Sequence, residues 1–276
     1  MINELISNQY FYFILLMIPT AVVAGFFAGF FGIGGGIITV PVLFYIFNNF
    51  GVDQNYVMHL AVGTSFSIII PTAIVSVLTH KKNDAVDVNI VKSYGGFVVL
   101  GVIIGSYVAA SLHTKSLVLV FALVLYTLSV NFFFQKEDAK IKLKLNLFLK
   151  TVLGMIVGFI SSLTGIGGAI MNVPILKLCG YPIKRAIGSA AAIGFFIALF
   201  GALGFLTSGS FLDVDLPLSI GFVNIPAFLI FIPITTFMAR IGASLLHKVD
   251  RKLISKLFGI FLLIVATKLL FDYMNL

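Results

Sequence analysis

Two glycine-rich stretches carry the residues whose types and spacing could do chemistry, and they are copies of one another. The first runs from Gly25 to Leu43 and reads GFFAGFFGIGGGIITVPVL; the second runs from Gly158 to Leu176 and reads GFISSLTGIGGAIMNVPIL. At a constant offset of 133 residues, Gly35 matches Gly168, and the surrounding glycines and the Val-Pro dipeptide also recur. Internal repetition of this kind indicates a duplicated architecture.

The glycine clusters predict a break in each of two apolar helices. Each glycine costs roughly 1 kcal/mol against alanine in a helix interior, and irregular backbone at membrane depth is tolerated only beside a cavity or within packed protein. Proline lacks an N–H and fits the first turn of a helix, so the next helix is predicted to begin close to Pro41 or Pro174. Free amides are then expected over residues 35–40 and 168–173, and free amides at the positive end of a helix bind anions. The predicted binding residues of the clusters are Gly34, Gly35, Gly36, Ile37, Gly167, Gly168, Ala169 and Ile170.

Five polar side chains extend this predicted anion site. Thr39 and Asn172 occupy equivalent places one residue before Val-Pro, where they could cap the helix or contact the substrate. Thr64 and Ser65, with Ser189 in a weaker echo of the repeat, could donate hydroxyls to the cavity or bond back to their own helix. Both alternatives stay open for each residue. Because Gly36 corresponds to Ala169, the two half-sites cannot be chemically identical.

The ionisable residues favour an anion over a cation as the substrate. All ten carboxylates fall in loops, at segment ends or near the termini, whereas a cation carrier or a carboxylate proton relay usually places one within a span. Arg240 lies inside an apolar run, where it would either snorkel to the cytoplasmic face or attract anions into an inner vestibule. The four histidines are expected to be peripheral: His59, His80, His113 and His247.

No cofactor, metal site or enzyme active site is expected. The single cysteine, Cys179, excludes a multi-cysteine metal site. GIGGGI lies in no βαβ unit of the kind that binds dinucleotides, and no HExxH, P-loop or credible Ser/His/Asp set is present. The pairs Gly25/Gly29 and Gly101/Gly105 match small-xxx-small faces, for which helix packing is the expected role.

The composition places the chain in a membrane. Of its 276 residues, 60% are hydrophobic and only 10% are charged, with a mean hydropathy of +1.13; soluble domains average about 25% charged residues. The net charge of +8 is carried by short loops between apolar runs, which points to orientation in the bilayer and not to a nucleic-acid partner.

The apolar runs predict an all-α, polytopic membrane protein in two homologous halves. The first half covers residues 1–134, a cytoplasmic linker covers 135–146, and the second half covers 147–276. Each half is predicted to hold four spanning helices and one short segment. In order, the predicted segments are Tyr10–Phe31, short Ile37–Phe47, Tyr56–Thr79, Val88–Leu112, Ser116–Phe134, Leu147–Leu163, short Ala169–Leu178, Ile183–Leu206, Gly221–Leu246 and Leu253–Phe271.

Basic residues set the predicted orientation. We place both termini outside and let each short segment return the chain to the face that it left when the preceding helix began. Fifteen of the eighteen Lys and Arg residues then fall in the cytoplasm, as the positive-inside bias requires. Each half then contains an odd number of segments, so the halves enter the membrane from opposite sides. Inverted repeats of this kind are a recurring transporter plan with the site at the midplane; the alternative is tandem duplication of a helical anchor.

The glycine clusters, together with AVGTS at 61–65 and AIGSAAA at 186–192, resemble the TauE/SafE group of sulfite exporters, also called the TSUP family. The resemblance covers essentially the whole chain. It implies a carrier of sulfite, sulfonates or related organosulfur anions, and it fixes neither the substrate nor the direction of transport. Carried over residue by residue, it matches the two glycine clusters, Thr39, Asn172 and the neighbourhood of Thr64 and Ser189.

The predicted function is therefore secondary transport of a small sulfur oxyanion by alternating access in a prokaryotic plasma or inner membrane. Proton coupling through a protonatable substrate such as bisulfite is a further hypothesis. A passive anion channel and a packing subunit of a larger complex are the alternatives. The predicted partners are the small anion and the lipid bilayer, without nucleic acid; a homo-oligomer stays open.

Overall fold

The computed structural model describes residues 9–134, 146–212, 216, 218–245 and 251–275. Over these residues the chain forms ten helices and one two-stranded antiparallel ladder. The elements are α1 (Gln9–Phe31), α2 (Gly36–Asn49), α3 (Val57–Lys82), α4 (Val88–Ser111), α5 (Thr114–Phe134), α6 (Leu147–Thr164), α7 (Ala169–Leu178), α8 (Ile183–Phe211), β1 (Ser219–Ile220), β2 (Val223–Asn224), α9 (Ile225–Leu245) and α10 (Arg251–Asn275).

Eight of these helices are long and apolar enough to cross a membrane, and α2 and α7 are the two shorter ones. At 1.5 Å per residue, the 14 residues of α2 and the 10 residues of α7 fall well short of a hydrocarbon core of about 30 Å. The prediction of an all-α polytopic membrane protein with two short segments is confirmed. The predicted linker at residues 135–146 lies almost wholly outside the described residues.

Several segment ends differ from the predicted ones. Helix α8 continues to Phe211, beyond the predicted end at Leu206. The segment predicted from Gly221 starts as the β1–β2 hairpin, in which Gly221 has a φ of +52° at the turn, so α9 begins only at Ile225. Apolar composition cannot separate a two-residue ladder from the helix that follows it, which explains the error.

The helices pack in corresponding pairs. Helix α1 packs against α9, and α6, which carries the second glycine copy, packs against α4, the counterpart of α9 in the first half. The contact of α3 with α9 likewise corresponds to the contact of α8 with α4. Two further contacts join a helix to its own counterpart, α3 to α8 and α5 to α10. Each of these contacts therefore has a counterpart in which the corresponding helices of the other half meet.

Glycines allow the main chains of paired helices to touch. A Cβ atom on Gly29 of α1 would overlap the carbonyl oxygen of Ala239 in α9, and one on Gly101 of α4 would overlap that of Met155 in α6. A Cβ on Gly25 would lie 2.6 Å from Thr235 Cα. The predicted packing role of these glycines is confirmed, because small residues are what permit close helix approach in a membrane.

Changing Gly29 to alanine should destabilise the protein, whereas the same change at Gly96 should not. Alanine normally favours a helix over glycine by about 1 kcal/mol, and a Cβ on the exposed Gly96 meets no heavy atom within 4 Å. At Gly29 the overlap with α9 should make the change destabilising, because overpacking lowers the free energy of unfolding by roughly 1–3 kcal/mol. Thermal unfolding of the purified variants in detergent measures both; a Gly29→Ala variant as stable as Gly96→Ala would contradict the packing.

Candidate functional site

The two glycine breaks lie against one another inside the bundle. A Cβ atom on Gly36 would fall on the carbonyl oxygen of Gly165, and one on Gly167 would lie 3.3 Å from the carbonyl oxygen of Ile33. The Ser65 hydroxyl on α3 donates a hydrogen bond of 3.0 Å to the same Gly165 carbonyl. The structure therefore brings together the two clusters that the repeat singles out.

Positive φ angles explain the central glycines of each break. Gly35, with a φ of +84°, is the residue before α2, and Gly168, with a φ of +62°, is the residue before α7. Other residue types pay roughly 1–2 kcal/mol for this left-handed conformation. Both helices therefore begin immediately after a left-handed glycine, and neither has a side-chain cap.

This start corrects the predicted place of the two prolines. Helices α2 and α7 begin at Gly36 and Ala169, within one residue of the predicted short segments and five residues before Pro41 and Pro174. The prediction that each proline lies in the first turn is wrong, because the left-handed glycine fixes the start and each proline is accommodated inside the helix. At that place a proline cannot donate to the carbonyl four residues before it.

The free amides are fewer than predicted and differ between the halves. In α2 the first main-chain bonds are donated by Ile38 and Thr39 to the Gly35 carbonyl, both at 3.0 Å. The N–H groups of Gly36 and Ile37 precede these bonds and belong to the first turn, where amides have no partner within the helix.

In the second half, tight turns use most of the corresponding amides. Gly168 donates to Ile166 at 2.6 Å, Ala169 donates to Gly167 at 2.7 Å, and Asn172 donates to Gly168 at 3.1 Å. Met171 also donates to Gly168, so Ile170 is left as the first-turn amide without such a bond. The expectation of free amides throughout 35–40 and 168–173 is therefore wrong for most of these positions.

The equivalent residues Thr39 and Asn172 have different partners. The Thr39 hydroxyl donates back to the Gly35 carbonyl at 3.1 Å, within its own helix. Asn172 is 0% exposed, and its Oδ1 accepts a hydrogen bond of 3.0 Å from the Tyr94 hydroxyl of α4. In the described part of the chain, its Nδ2 has no hydrogen-bond partner. Helix capping by either side chain is excluded, because Gly35 and Gly168 are the capping residues; substrate contact stays a prediction.

The equivalent hydroxyls of Thr64 and Ser189 hold the starts of two other helices. Thr64 Oγ1 accepts a hydrogen bond from the N–H of Asn224, and Ser189 Oγ accepts one from the N–H of Asp87. Asp87 caps α4 by accepting from the N–H groups of Asn89 and Ile90, and Asn224 similarly accepts from Ala227 at the start of α9. These contacts use the hydroxyls as acceptors, and substrate contact by Thr64, Ser65 and Ser189 stays a prediction.

The clefts described at the breaks are narrow. One, lined by Ile33, Ile170 and Pro174 among others, has a volume of about 20 Å³, which is room for about one water molecule. A second cleft runs from Gly34 along α3 to Ser76 and is too narrow for water. A larger cavity of about 590 Å³ lies at the other end of α2, lined by residues that include Asn48, His113, Lys115, Lys268 and Asp272.

The remaining ionisable candidates lie away from the breaks. Arg240 is exposed on the outer face of α9 beside Phe237 and Ile241, which favours the snorkelling alternative over an inner vestibule. The prediction that His59 and His80 are peripheral is wrong, since they are 1% and 0% exposed. His113 is exposed, as predicted, and His247 lies outside the described residues.

Sequence reasoning missed Tyr94, the partner of Asn172. Nothing in the repeat marks it, because it lies seven residues after Asp87 and the residue seven after Asn224 is Phe231. It also missed Asp87 and Asn224, although an Asp or Asn directly before an apolar run is a recognised helix-start signal.

Apolar spanning helices around two buried, glycine-bounded helix starts define a multi-pass membrane protein of the transporter class. A family model described as sulfite exporter TauE/SafE matches residues 17–269, and the chain belongs to this family. It is a membrane transporter.

Relatives in bacteria and archaea carry matching names. A probable membrane transporter protein of Haemophilus influenzae is 34% identical over 257 residues, covering 93% of this chain and 97% of the relative. A probable membrane transporter protein of Methanocaldococcus jannaschii is 29% identical over 252 residues, covering 86% of this chain and 90% of the relative. One of Bacillus subtilis is 24% identical over 283 residues, covering 94% and 97%. No solved structure gives a significant match.

Changing Gly36 to alanine should open the contact between the breaks, whereas changing Ala169 to glycine should not. The added Cβ meets the Gly165 carbonyl, while Ala169 already carries one at the equivalent place. Hydrogen–deuterium exchange should be faster at residues 165–168 of Gly36→Ala than of the unaltered protein, because buried backbone becomes accessible. Unchanged exchange in this variant, or equally fast exchange in Ala169→Gly, would contradict the contact.

Proposed function

We propose that the protein carries a small sulfur-containing oxyanion, such as sulfite or a sulfonate, by alternating access around the place where the two breaks meet. The observation that carries the proposal is the contact of Gly36 with the Gly165 carbonyl, because it places the starts of α2 and α7 in one buried region. The positive ends of two helix dipoles then act on the same small volume. The name of the family supports sulfite as the first candidate substrate.

Neutral donors suit a carrier that must release its anion. A buried cationic side chain would need a permanent counter-charge or would hold an anion tightly. The described residues of the two breaks, 32–40 and 165–173, include no charged side chain. Amide N–H groups instead replace the hydration of an oxyanion without a full charge. The carboxylates of the described spans and loops, Asp53, Asp84, Asp87 and Asp272, lie at helix ends or in connections, so no acidic side chain among them opposes an anion at the breaks.

The inverted arrangement of the halves belongs to the proposal. It is supported by the exchange of helix partners between the halves and by the positive-inside distribution of Lys and Arg. Both termini are then outside, the Lys81–Lys92 region is cytoplasmic, and the 590 Å³ cavity opens outside. In inverted-repeat carriers, substrate sites lie near the midplane and are formed by interrupted helices.

The narrow clefts at the breaks favour a carrier over an open channel. On one side of the breaks, Phe66 and Phe205 pack with their ring centroids 6.0 Å apart, and Phe222 lies 6.2 Å from Phe205. On the other side, the narrow cleft passes small residues, Ala73, Ala191 and Gly194 among them. Rocking of the halves would open one side while the aromatic cluster closes the other.

Flux of sulfite into proteoliposomes containing only the purified chain should saturate and show counterflow. Saturation and counterflow require a site that is exposed to one side at a time. Unitary currents in planar bilayers would instead establish the channel alternative, and absence of any flux from the purified chain would favour the subunit alternative.

Within the same assay, Gly35→Leu should abolish flux and Gly51→Leu should preserve it. Both glycines have positive φ angles, +84° and +74°, so the backbone strain is matched. Gly35 starts α2 at the break and its Cβ would lie 3.0 Å from the Ala24 carbonyl oxygen, whereas nothing lies within 4 Å of a Cβ on Gly51. Equal flux in the two variants would contradict a role for the α2 start.

Proton coupling predicts that an imposed pH gradient changes the rate of sulfite flux. If bisulfite is the transported species, uptake should accelerate when the side that holds the substrate is made more acidic, because the protonated fraction increases there. A non-protonatable sulfonate serves as the control and should not respond. Sulfite flux that is unaffected by the gradient would remove coupling from the proposal.

A further inference from the structure

A buried primary amide without an acceptor is the polar feature that helix packing leaves unexplained. Asn172 is 0% exposed and its Nδ2 carries two donor hydrogens with no partner in the described structure. Leaving a buried donor unpaired costs about 1–3 kcal/mol, so such a group in a native protein requires an explanation. One explanation is a transported ligand that supplies the hydrogen-bond acceptor.

In the structure the Tyr94 hydroxyl pairs with the oxygen end of the Asn172 amide. It donates to Oδ1 of Asn172 at 3.0 Å, and a phenol bound in this way keeps the carbonyl end of the amide towards α4. The two N–H hydrogens are then directed elsewhere. Helical side chains tilt towards the helix N-terminus, so the Asn172 side chain lies over the first turn of α7, beside the break.

The first half has no such pair at the equivalent place. Asp87 and Asn224 are equivalent helix caps, held by the equivalent hydroxyls of Ser189 and Thr64. Seven residues after each cap stand Tyr94 and Phe231, and both are 0% exposed. The counterpart of the Tyr94–Asn172 pair is therefore Phe231 with Thr39, and the hydroxyl of Thr39 is already bonded to Gly35. The polar pair is present in one half only.

The main-chain donors show the opposite asymmetry. The first half keeps the Gly36 and Ile37 amides ahead of its first helical bonds, while the second half uses the amides of Gly168 and Ala169 in tight turns. Of the first-turn amides described in the second half, Ile170 alone stays without such a bond, and this is the half that holds an unpaired side-chain amide.

We propose that the Asn172 side-chain amide is the donor that the second half gives to the oxyanion, and that Tyr94 is the positioning residue that holds it. This rests on the proposed function and deepens it: the first half binds the anion through its backbone alone, and the second adds a side chain to its Ile170 amide. An oxyanion with two or more acceptor oxygens fits both sets of donors at once. Tyr94 itself does not touch the substrate.

Tyr94→Phe, Asn172→Ala, the double variant and Asn172→Asp test the proposal, with Tyr126→Phe as the matched control. Tyr126 also bonds a side chain on another helix, Thr267 at 2.9 Å, on the helices α5 and α10. A phenylalanine at 94 packs as Phe231 does at the equivalent place, so folding should be preserved. The measurements are the KM and maximal rate of sulfite flux, and sulfite binding by calorimetry.

Tyr94→Phe should raise the KM roughly three- to tenfold with little change in maximal rate, as expected for the loss of orientation by one hydrogen bond. Asn172→Ala should raise it at least as much, and the double variant should be no worse than Asn172→Ala, because the two residues act as one unit. Asn172→Asp keeps the acceptor for Tyr94 but replaces the donors with a negative charge, and should abolish sulfite binding. Tyr126→Phe should match the unaltered protein.

Three results would overturn the proposal. An unchanged KM in Tyr94→Phe, or effects of Tyr94→Phe and Asn172→Ala that multiply, would remove the positioning role. Sulfite binding by Asn172→Asp at the affinity of the unaltered protein would remove the donor role. In each of these cases transport by the unaltered protein would still support the proposed function, whereas an unaltered protein that binds no sulfite or sulfonate would overturn both proposals.

Discussion

The carbonyl oxygen of Gly165 occupies the space where a side chain at position 36 would begin. This contact between two main chains depends on glycine, and it holds the starts of α2 and α7 together in the interior of the bundle. Backbone that leaves a helix at membrane depth must be enclosed by protein or line a cavity. Because each break is enclosed by the other, two costly interruptions are satisfied at one place, and their first-turn amides share that place.

The surrounding helices repeat one arrangement with different side chains. A hydroxyl on α3 or α8 accepts the N–H of the residue that caps α9 or α4, so each long central helix fixes the start of a helix in the other half. The halves differ at the equivalent polar residues: the Thr39 hydroxyl donates to the Gly35 carbonyl in its own helix, and Asn172 accepts from Tyr94 on α4. In the proposed transport mechanism, this divergence presents unlike donors to one small anion.

The sequence predicts the membrane class and the spans, because hydropathy follows directly from the residue types. It also predicts that the two glycine clusters belong together, because they repeat the same residue order. It places the starts of α2 and α7 to within one residue but expects Pro41 and Pro174 in the first turn, since the left-handed conformation of Gly35 and Gly168, which fixes each start, appears only in the folded backbone. The sequence also did not predict the burial of His59 or the hydrogen bond between Tyr94 and Asn172. Both depend on which distant helices pack together, and in the repeat the counterpart of Tyr94 is an apolar phenylalanine.

The most direct test of an anion held by the two breaks is the response of their amides to substrate. In a protein labelled with ¹⁵N and placed in lipid bilayers, solid-state NMR can follow the N–H groups of Gly36, Ile37 and Ile170 and the side-chain amide of Asn172 during a sulfite titration. We expect their shifts to move together and to saturate at a single concentration. Saturable sulfite transport with no shift at any of these four groups would contradict the central claim.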